Sequence, residues 1–158
     1  MSKIIPRIGL GWDSHKLVQG EPCILGGVLF DSPIGPKGHS DGDALLHAIT
    51  DALLGAAGLD DIGTLFPDDD PNNKNRDSAE FITFALKKLQ ENKLQIASID
   101  TVIICDEPKI GPYRNAIRNN LKNLLGIPEN RINVKGKSTE GGEKFRITAQ
   151  AIALLLDA

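Results

Sequence analysis

Asp13 and His15 stand one residue apart behind a run of apolar and glycine residues. In extended backbone, positions i and i+2 point to the same side, so a carboxylate and an imidazole there can converge on one ion. Asp43, His47 and Asp51 recur at four-residue spacing. On a helix they share a face, distinct from the one carrying Leu45, Ile49 and Leu53. His47 is therefore a candidate third ligand. Two imidazoles and a carboxylate suit Zn²⁺ or a similar first-row ion, and three protein ligands leave a coordination position open for chemistry. Asp43 and Asp51 would orient those ligands from behind. Spacing alone leaves a plainer reading open, in which Asp-x-His is incidental and His47 is a hydrogen-bonded helix residue.

Positioning these side chains falls to elements that the residue pattern outlines. Ile4 to Gly11 reads as a strand ending at Trp12-Asp13, and Cys23 to Phe30 as another, with Gly26-Gly27 permitting a bulge or turn. Asp31 to His39 reads as a loop. Ser40 is the expected N-cap of a helix whose stripe is Leu45, Ala48, Ile49, Ala52, Leu53 and Ala56, with Gly58 as its stop. The polar segment Leu59 to Asp77 is long enough to suggest a functional loop. Further on, Ser78 to Asn92 and Tyr113 to Leu125 read as helices, and Ile99 to Cys105 and Arg131 to Lys137 as strands. Ile147 to Leu156 fits either a buried strand or a helix. A strand is the preferred reading, because an extra sheet member would cover the core. The expected class is α+β, a single mixed sheet with helices packed on one side.

The chain has 158 residues, which suggests one domain over 1–158, long enough to build a core without disulfides or a structural metal. A net charge of −3 gives no general attraction to nucleic acid, so a phosphate ligand would need local cations or helix N-termini. Cys23 and Cys105 lie in apolar runs and read as buried thiols in a reducing cytoplasm. No signal-peptide pattern and no membrane-length apolar stretch is present.

Longer motifs carry a family resemblance. Arg7-Ile8-Gly9-Leu10-Gly11-Trp12-Asp13-Ser14-His15 and Leu25-Gly26-Gly27-Val28 resemble the opening of the 2-C-methyl-D-erythritol 2,4-cyclodiphosphate synthases. The block from His39-Ser40-Asp41-Gly42-Asp43 through His47 and Asp51 to Ala56 is similar to that family's most distinctive stretch. Asp61-Ile62-Gly63, Leu65-Phe66-Pro67-Asp68 and Asp70-Pro71 continue it, and the similarity returns at Ala97 to Pro112 and Val134 to Glu140.

The resemblance implies a reaction in which the 2-phosphate of 4-diphosphocytidyl-2-C-methyl-D-erythritol 2-phosphate attacks its own β-phosphate. The products are the cyclic diphosphate and CMP, a step in non-mevalonate isoprenoid synthesis. It implies Asp13, His15 and His47 as Zn²⁺ ligands. Glu140 would hold a second ion, Mg²⁺ or Mn²⁺, and Asp51, Ser138 and Glu140 would act on the reacting groups. Substrate contacts are implied for Asp13, His15, Asp43, His39 and Ser40, the last two beside a helix N-terminus that favours phosphate. They are implied for Asp61, Ile62, Gly63, Phe66 and Asp68 around the erythritol hydroxyls, and for Lys137, Ser138, Thr139 and Glu140. Cys105, Pro108 and Lys109 belong to the segment expected to hold cytosine from a neighbouring subunit, since the family forms homotrimers with active sites between subunits.

The sequence departs from the family after Glu140. The segment Gly141-Gly142-Glu143-Lys144-Phe145-Arg146 is shorter than the usual Phe- and Arg-containing loop. Lys137 or Arg146 is left as the local cation. Two rivals follow: a phosphohydrolase using the same ions on water, and a trimeric metabolite-binding module without turnover.

Overall fold

The computed structural model describes residues 5–158; the expected strand start at Ile4 lies outside them. Among the described residues the strands are β1 (Arg7–Gln19), β2 (Cys23–Leu25), β3 (Val28–Phe30), β4 (Ile34–Pro36), β5 (Leu94–Ile104), β6 (Ile132–Lys137) and β7 (Arg146–Asp157). The helices are α1 (Ala44–Ala56), α2 (Ile62–Leu65), α3 (Ser78–Glu91) and α4 (Arg114–Leu125). One mixed sheet runs β4-β1-β7-β5-β6, with β5 and β6 parallel and its other pairs antiparallel; β2 and β3 form a separate hairpin.

The sheet is covered by helices on one face. β7 alternates strictly, burying Ile147, Ala149, Ala151, Ala153 and Leu155. Its row of alanines, with Gly9 and Gly11 of β1, makes a shallow surface on which α1 lies very close. A Cβ at Gly11 would stand 1.7 Å from the Ala48 carbonyl oxygen, and one at Gly9 1.8 Å from that of Ala52. Small residues on both sides thus bring α1 down onto β1, which sets His47 beside Asp13. The opposite face leaves Ile8, Leu10, Trp12 and Ile152 exposed, at 71%, 69%, 58% and 48%.

Several expectations need correction. β1 does not end at Trp12-Asp13 but continues to Gln19, so Asp13 and His15 are mid-strand residues paired with Ala149 and Ile147 of β7. The polar run Asp13-Ser14-His15-Lys16 hid this, because one side of the pleat there faces a pocket rather than the core. The stretch Asp31 to His39 is not all loop: β4 pairs with the end of β1. The N-cap of α1 is Asp43, not Ser40. Gly42, at φ +73°, turns the chain so that the helix starts three residues later than Ser40 would allow. The Leu59 to Asp77 segment contains α2 and a 3₁₀ turn at Pro71–Asn73.

The ambiguous C-terminal segment is a strand, and Gly126 ends α4 in the left-handed conformation. Cys23 and Cys105 are free and buried.

Candidate metal centre

β1 and α1 bring the Asp13, His15 and His47 side chains to one point. His15 Nε2 lies 2.7 Å, and His47 Nδ1 2.9 Å, from the same oxygen, Asp13 Oδ2. The three donor atoms all fall within 4.8 Å of one another, and among the described residues they form the one such cluster of His, Cys, Asp and Glu. His15 Nδ1 is 3.1 Å from the Lys37 carbonyl oxygen. A carbonyl only accepts, so Nδ1 carries hydrogen and Nε2 faces Asp13. That nitrogen then needs a second proton or a cation between itself and the carboxylate. The donor set therefore fits a divalent metal ion with the third ligand type already in place.

The electrostatics point the same way. Burial pushes the Asp13 carboxyl up, but the hydrogen bonds and charges of His15 and His47 outweigh it and hold it well below the ordinary range. Burial alone would lower His15, but its bond to Asp13 and that group's charge raise it above the usual 6.5. The raised imidazole must lose its proton before it can ligate. Metal affinity is thus expected to fall about tenfold for each pH unit below the His15 titration. The onset of that fall should lie above 6.5. Calorimetric Zn²⁺ titrations across pH, with proton release read from buffers of different ionisation enthalpy, check this; an affinity flat from pH 6 to 8 would refute it.

A cavity of about 530 Å³ opens over the triad, with Lys37, His39, Ser40, Asp51, Ile62, Gly63, Phe66, Asp68, Asn73 and Phe81 on its walls. The structure so gathers His39, Ser40, Asp51, Ile62, Gly63, Phe66 and Asp68 around the triad, with Asp61 outside the wall. Asp51 accepts from the Ile62 N–H at 2.9 Å, which fastens α2 to α1, and burial raises its carboxyl. Asp61 caps α2 through Thr64 N–H and stands exposed at the rim.

Asp43 is not on the pocket wall. Fully buried, it accepts from the backbone N–H groups of Gly26, Gly27 and Leu46, tying the β2–β3 hairpin to α1. Burial pushes its carboxyl up to about 6, against the pull of those three donors. Its carboxylate also occupies the α1 N-terminus, so that helix end is not free to receive an anion.

The remaining expected residues lie on other strands. Cys105 is buried, with Sγ 3.3 Å from the Pro108 carbonyl oxygen. Pro108 and Lys109 line a second cavity with Asp31, Ile34, Asp106 and Phe145. Thr139 donates through its N–H and Oγ1 to Asp106, and Ser138 Oγ donates to Glu140 at 2.8 Å. The pairings Ser14 with Thr148, Thr148 with Ile104 and Ile104 with Lys137 put Ser14 and Lys137 on one line across the sheet. At strand spacings of about 4.8 Å they are separated by roughly 14 Å. Within one copy, then, Lys137 and the Ser138–Glu140 segment that follows it lie at the same end of the strands as the triad but three strands away, and they do not line its pocket.

Lys37, whose carbonyl fixes the His15 ring, had no signal in the sequence, because a backbone acceptor leaves no side-chain trace. Phe81 reaches the pocket through the packing of α3 on α1, and Asn73 from the 3₁₀ turn, where its side chain donates to the Pro67 carbonyl; both are equally invisible to spacing.

Fold and site together define an α+β protein with a carboxylate–imidazole triad suited to a divalent metal at the base of a pocket. The chain belongs to the YgbB family, which matches residues 6–156. It is 54% identical over 135 residues, covering 85% of this chain and 86% of the relative, to the 2-C-methyl-D-erythritol 2,4-cyclodiphosphate synthase of Aquifex aeolicus. It is 45% identical over 149 residues, 94% of this chain and 98% of the relative, to that of Thermus thermophilus. A solved structure of such a synthase in its CDP-bound form matches with a TM-score of 0.90 at 43% identity, covering 94% of this chain and 99% of the other.

Proposed function

We propose that this chain is a 2-C-methyl-D-erythritol 2,4-cyclodiphosphate synthase. It converts 4-diphosphocytidyl-2-C-methyl-D-erythritol 2-phosphate to the 2,4-cyclodiphosphate and CMP in non-mevalonate isoprenoid synthesis. The observation that carries this reading is the convergence of Asp13, His15 and His47 at the base of a pocket walled by His39, Ser40, Asp51 and Asp68. Zn²⁺ held by Asp13, His15 and His47, and Mg²⁺ or Mn²⁺ held with the diphosphate by Glu140, supply Lewis-acid polarisation and charge screening when bound.

The chain's own residues do the folding of the substrate. Both reacting groups belong to one molecule, so positioning alone accounts for up to about 7–11 kcal/mol of the barrier. His39 and Ser40 hold the attacking phosphate. Asp61 and Asp68, with Ile62, Gly63 and Phe66, hold the erythritol part, since a carboxylate accepts from two hydroxyls at once. Asp51 stands over the reacting groups from α1. Cys105, Pro108 and Lys109 hold cytosine, and Lys137, Ser138, Thr139 and Glu140 hold the diphosphate.

This last set reaches the triad from a neighbouring copy, in a homotrimer assembled in the cytoplasm. The roughly 14 Å between Ser14 and Lys137 in one copy supports that arrangement. So does the exposed apolar face of Ile8, Leu10, Trp12 and Ile152, which is a poor surface to leave in water. Sedimentation should give three copies of the 17.0 kDa chain. Trp12→Lys should shift it toward monomer and remove turnover; a monomeric parent with full activity would refute the shared site.

Incubation with the diphosphocytidyl substrate, Zn²⁺ and Mg²⁺ tests the activity. CMP and the cyclic diphosphate should appear in equal amounts. Inorganic phosphate from simple esters would favour the hydrolase instead, and CDP binding without turnover the inactive module.

A further inference from the structure

His47 is held from behind by a relay that begins at a carboxylate outside the triad. Its Nε2 lies 2.8 Å from Ser78 Oγ and 3.1 Å from Ser40 Oγ. Ser78, the first residue of α3, is fully buried, and its hydroxyl donates to Asp41 Oδ1. The other oxygen of Asp41 accepts from the Ser78 backbone N–H at 3.0 Å. The Asp41 carboxylate thereby sits on the α3 N-terminus, where negative charge is favoured. Its Oδ1 also accepts from the Asp43 N–H at 3.1 Å.

The hydrogens can be assigned from this geometry. A hydroxyl has one hydrogen, and that of Ser78 is committed to a carboxylate that only accepts. Toward His47, Ser78 Oγ is therefore an acceptor, and Nε2 carries the N–H. Nδ1, which faces Asp13, is left with its lone pair turned to the triad. The tautomer that ligation through Nδ1 requires is thus dictated by groups outside the triad.

We propose that Asp41 and Ser78 are positioning residues of the metal centre: the Asp41–Ser78–His47 relay fixes the tautomer and ring orientation of His47. The proposal rests on the metal reading of the triad. It also joins the centre to the pocket wall. The Asn75 N–H donates to the His39 carbonyl at 2.8 Å and the Asp41 N–H to that of Arg76 at 3.4 Å, so the strap carrying His39 and Ser40 is laced to the segment that ends in Ser78. Three separate segments meet in the relay: this strap, α1 and the start of α3. Loss of such an outer partner typically weakens metal binding about 10- to 100-fold.

The test is Zn²⁺ affinity by competition with a chromophoric chelator for the parent chain, Ser78→Ala, Asp41→Asn and the double variant. Imidazole ¹⁵N spectra of the loaded proteins are recorded in parallel. Each single variant should lose about 10- to 100-fold in affinity, and the double variant no more than the weaker single, because the groups act in series. The parent should show a slowly exchanging His47 Nε2–H that exchanges fast in Ser78→Ala, a change that a merely structural serine would not produce. If Ser78→Ala does not fold, Asp41→Asn decides alone, since its amide keeps the size of the carboxylate at a half-buried position. Equal affinity in the parent and the folded variants overturns the relay but leaves the triad. A parent chain that binds no Zn²⁺ overturns the triad and the relay together.

Discussion

Replacing His47 with alanine is expected to empty the metal centre and to lower turnover at least about a thousand-fold, while leaving the fold in place. The imidazole supplies one of three donor atoms. Without it, Asp13 and His15 offer two, and a two-ligand site does not hold an ion against competition from water. Lewis-acid stabilisation of a phosphoryl transition state is worth several kcal/mol, and each 1.36 kcal/mol is tenfold in rate, which gives the thousand-fold floor. The fold survives because the α1 core is carried by Leu45, Leu46, Ile49, Leu53 and Leu54, none exposed by more than 1%. Metal content by elemental analysis, CMP release and far-UV circular dichroism check the three parts. Full activity with stoichiometric metal in His47→Ala would show that the triad had been misassigned.

Gly11→Ala should be strongly destabilising for a change of a single methyl. The new Cβ would meet the Ala48 carbonyl oxygen at 1.7 Å, Ala48 C at 2.7 Å and Ala52 N at 2.8 Å. All three are helix backbone, so no side-chain rotation relieves the contact. α1 has to back away from β1. Overpacking of this kind commonly costs about 1–3 kcal/mol, and a clash with backbone sits at or above the upper end. The damage extends to function, because Asp13 lies two residues along β1 and His47 beside Ala48: separating strand from helix pulls the ligands apart. Urea unfolding should show a loss of about 3 kcal/mol or more, and the folded fraction should bind Zn²⁺ weakly. Gly55→Ala, in the same helix with nothing within 4 Å of its Cβ, is the control and should be neutral or stabilising. A Gly11→Ala chain as stable as the parent would contradict the packing that positions the site.

The three ligands were legible because two simple periods produced them, the two-residue repeat of a strand and the helix turn that carries His47. Asp43 shows where that reasoning stops. Four residues before His47, it belongs on the same face of a continuous helix. As the N-cap, however, it lies outside the helical repeat, and its side chain turns back to the Gly26 and Gly27 N–H groups. Ser40 and Asp43 are both good caps by type, and the turn at Gly42 decided between them. The length of β1 was hidden by the polar residues that the site itself requires. β7 was ambiguous because Ala149, Ala151 and Ala153 favour helix by propensity while the apolar run around them suits a buried strand. The Asp41–Ser78 contact spans 37 positions of sequence and follows only from α3 packing beside α1. Cys105, Pro108, Lys109 and the Lys137–Glu140 segment do not line the triad's pocket within one chain, and no sequence pattern shows that.

Anomalous scattering collected on both sides of the zinc absorption edge, from crystals of the Zn²⁺-treated chain, puts the main claim to its most direct trial. A zinc peak should stand within about 2.0–2.2 Å of Asp13 Oδ2, His15 Nε2 and His47 Nδ1. An ordered triad with no peak there, or zinc bound only elsewhere on the chain, would contradict it.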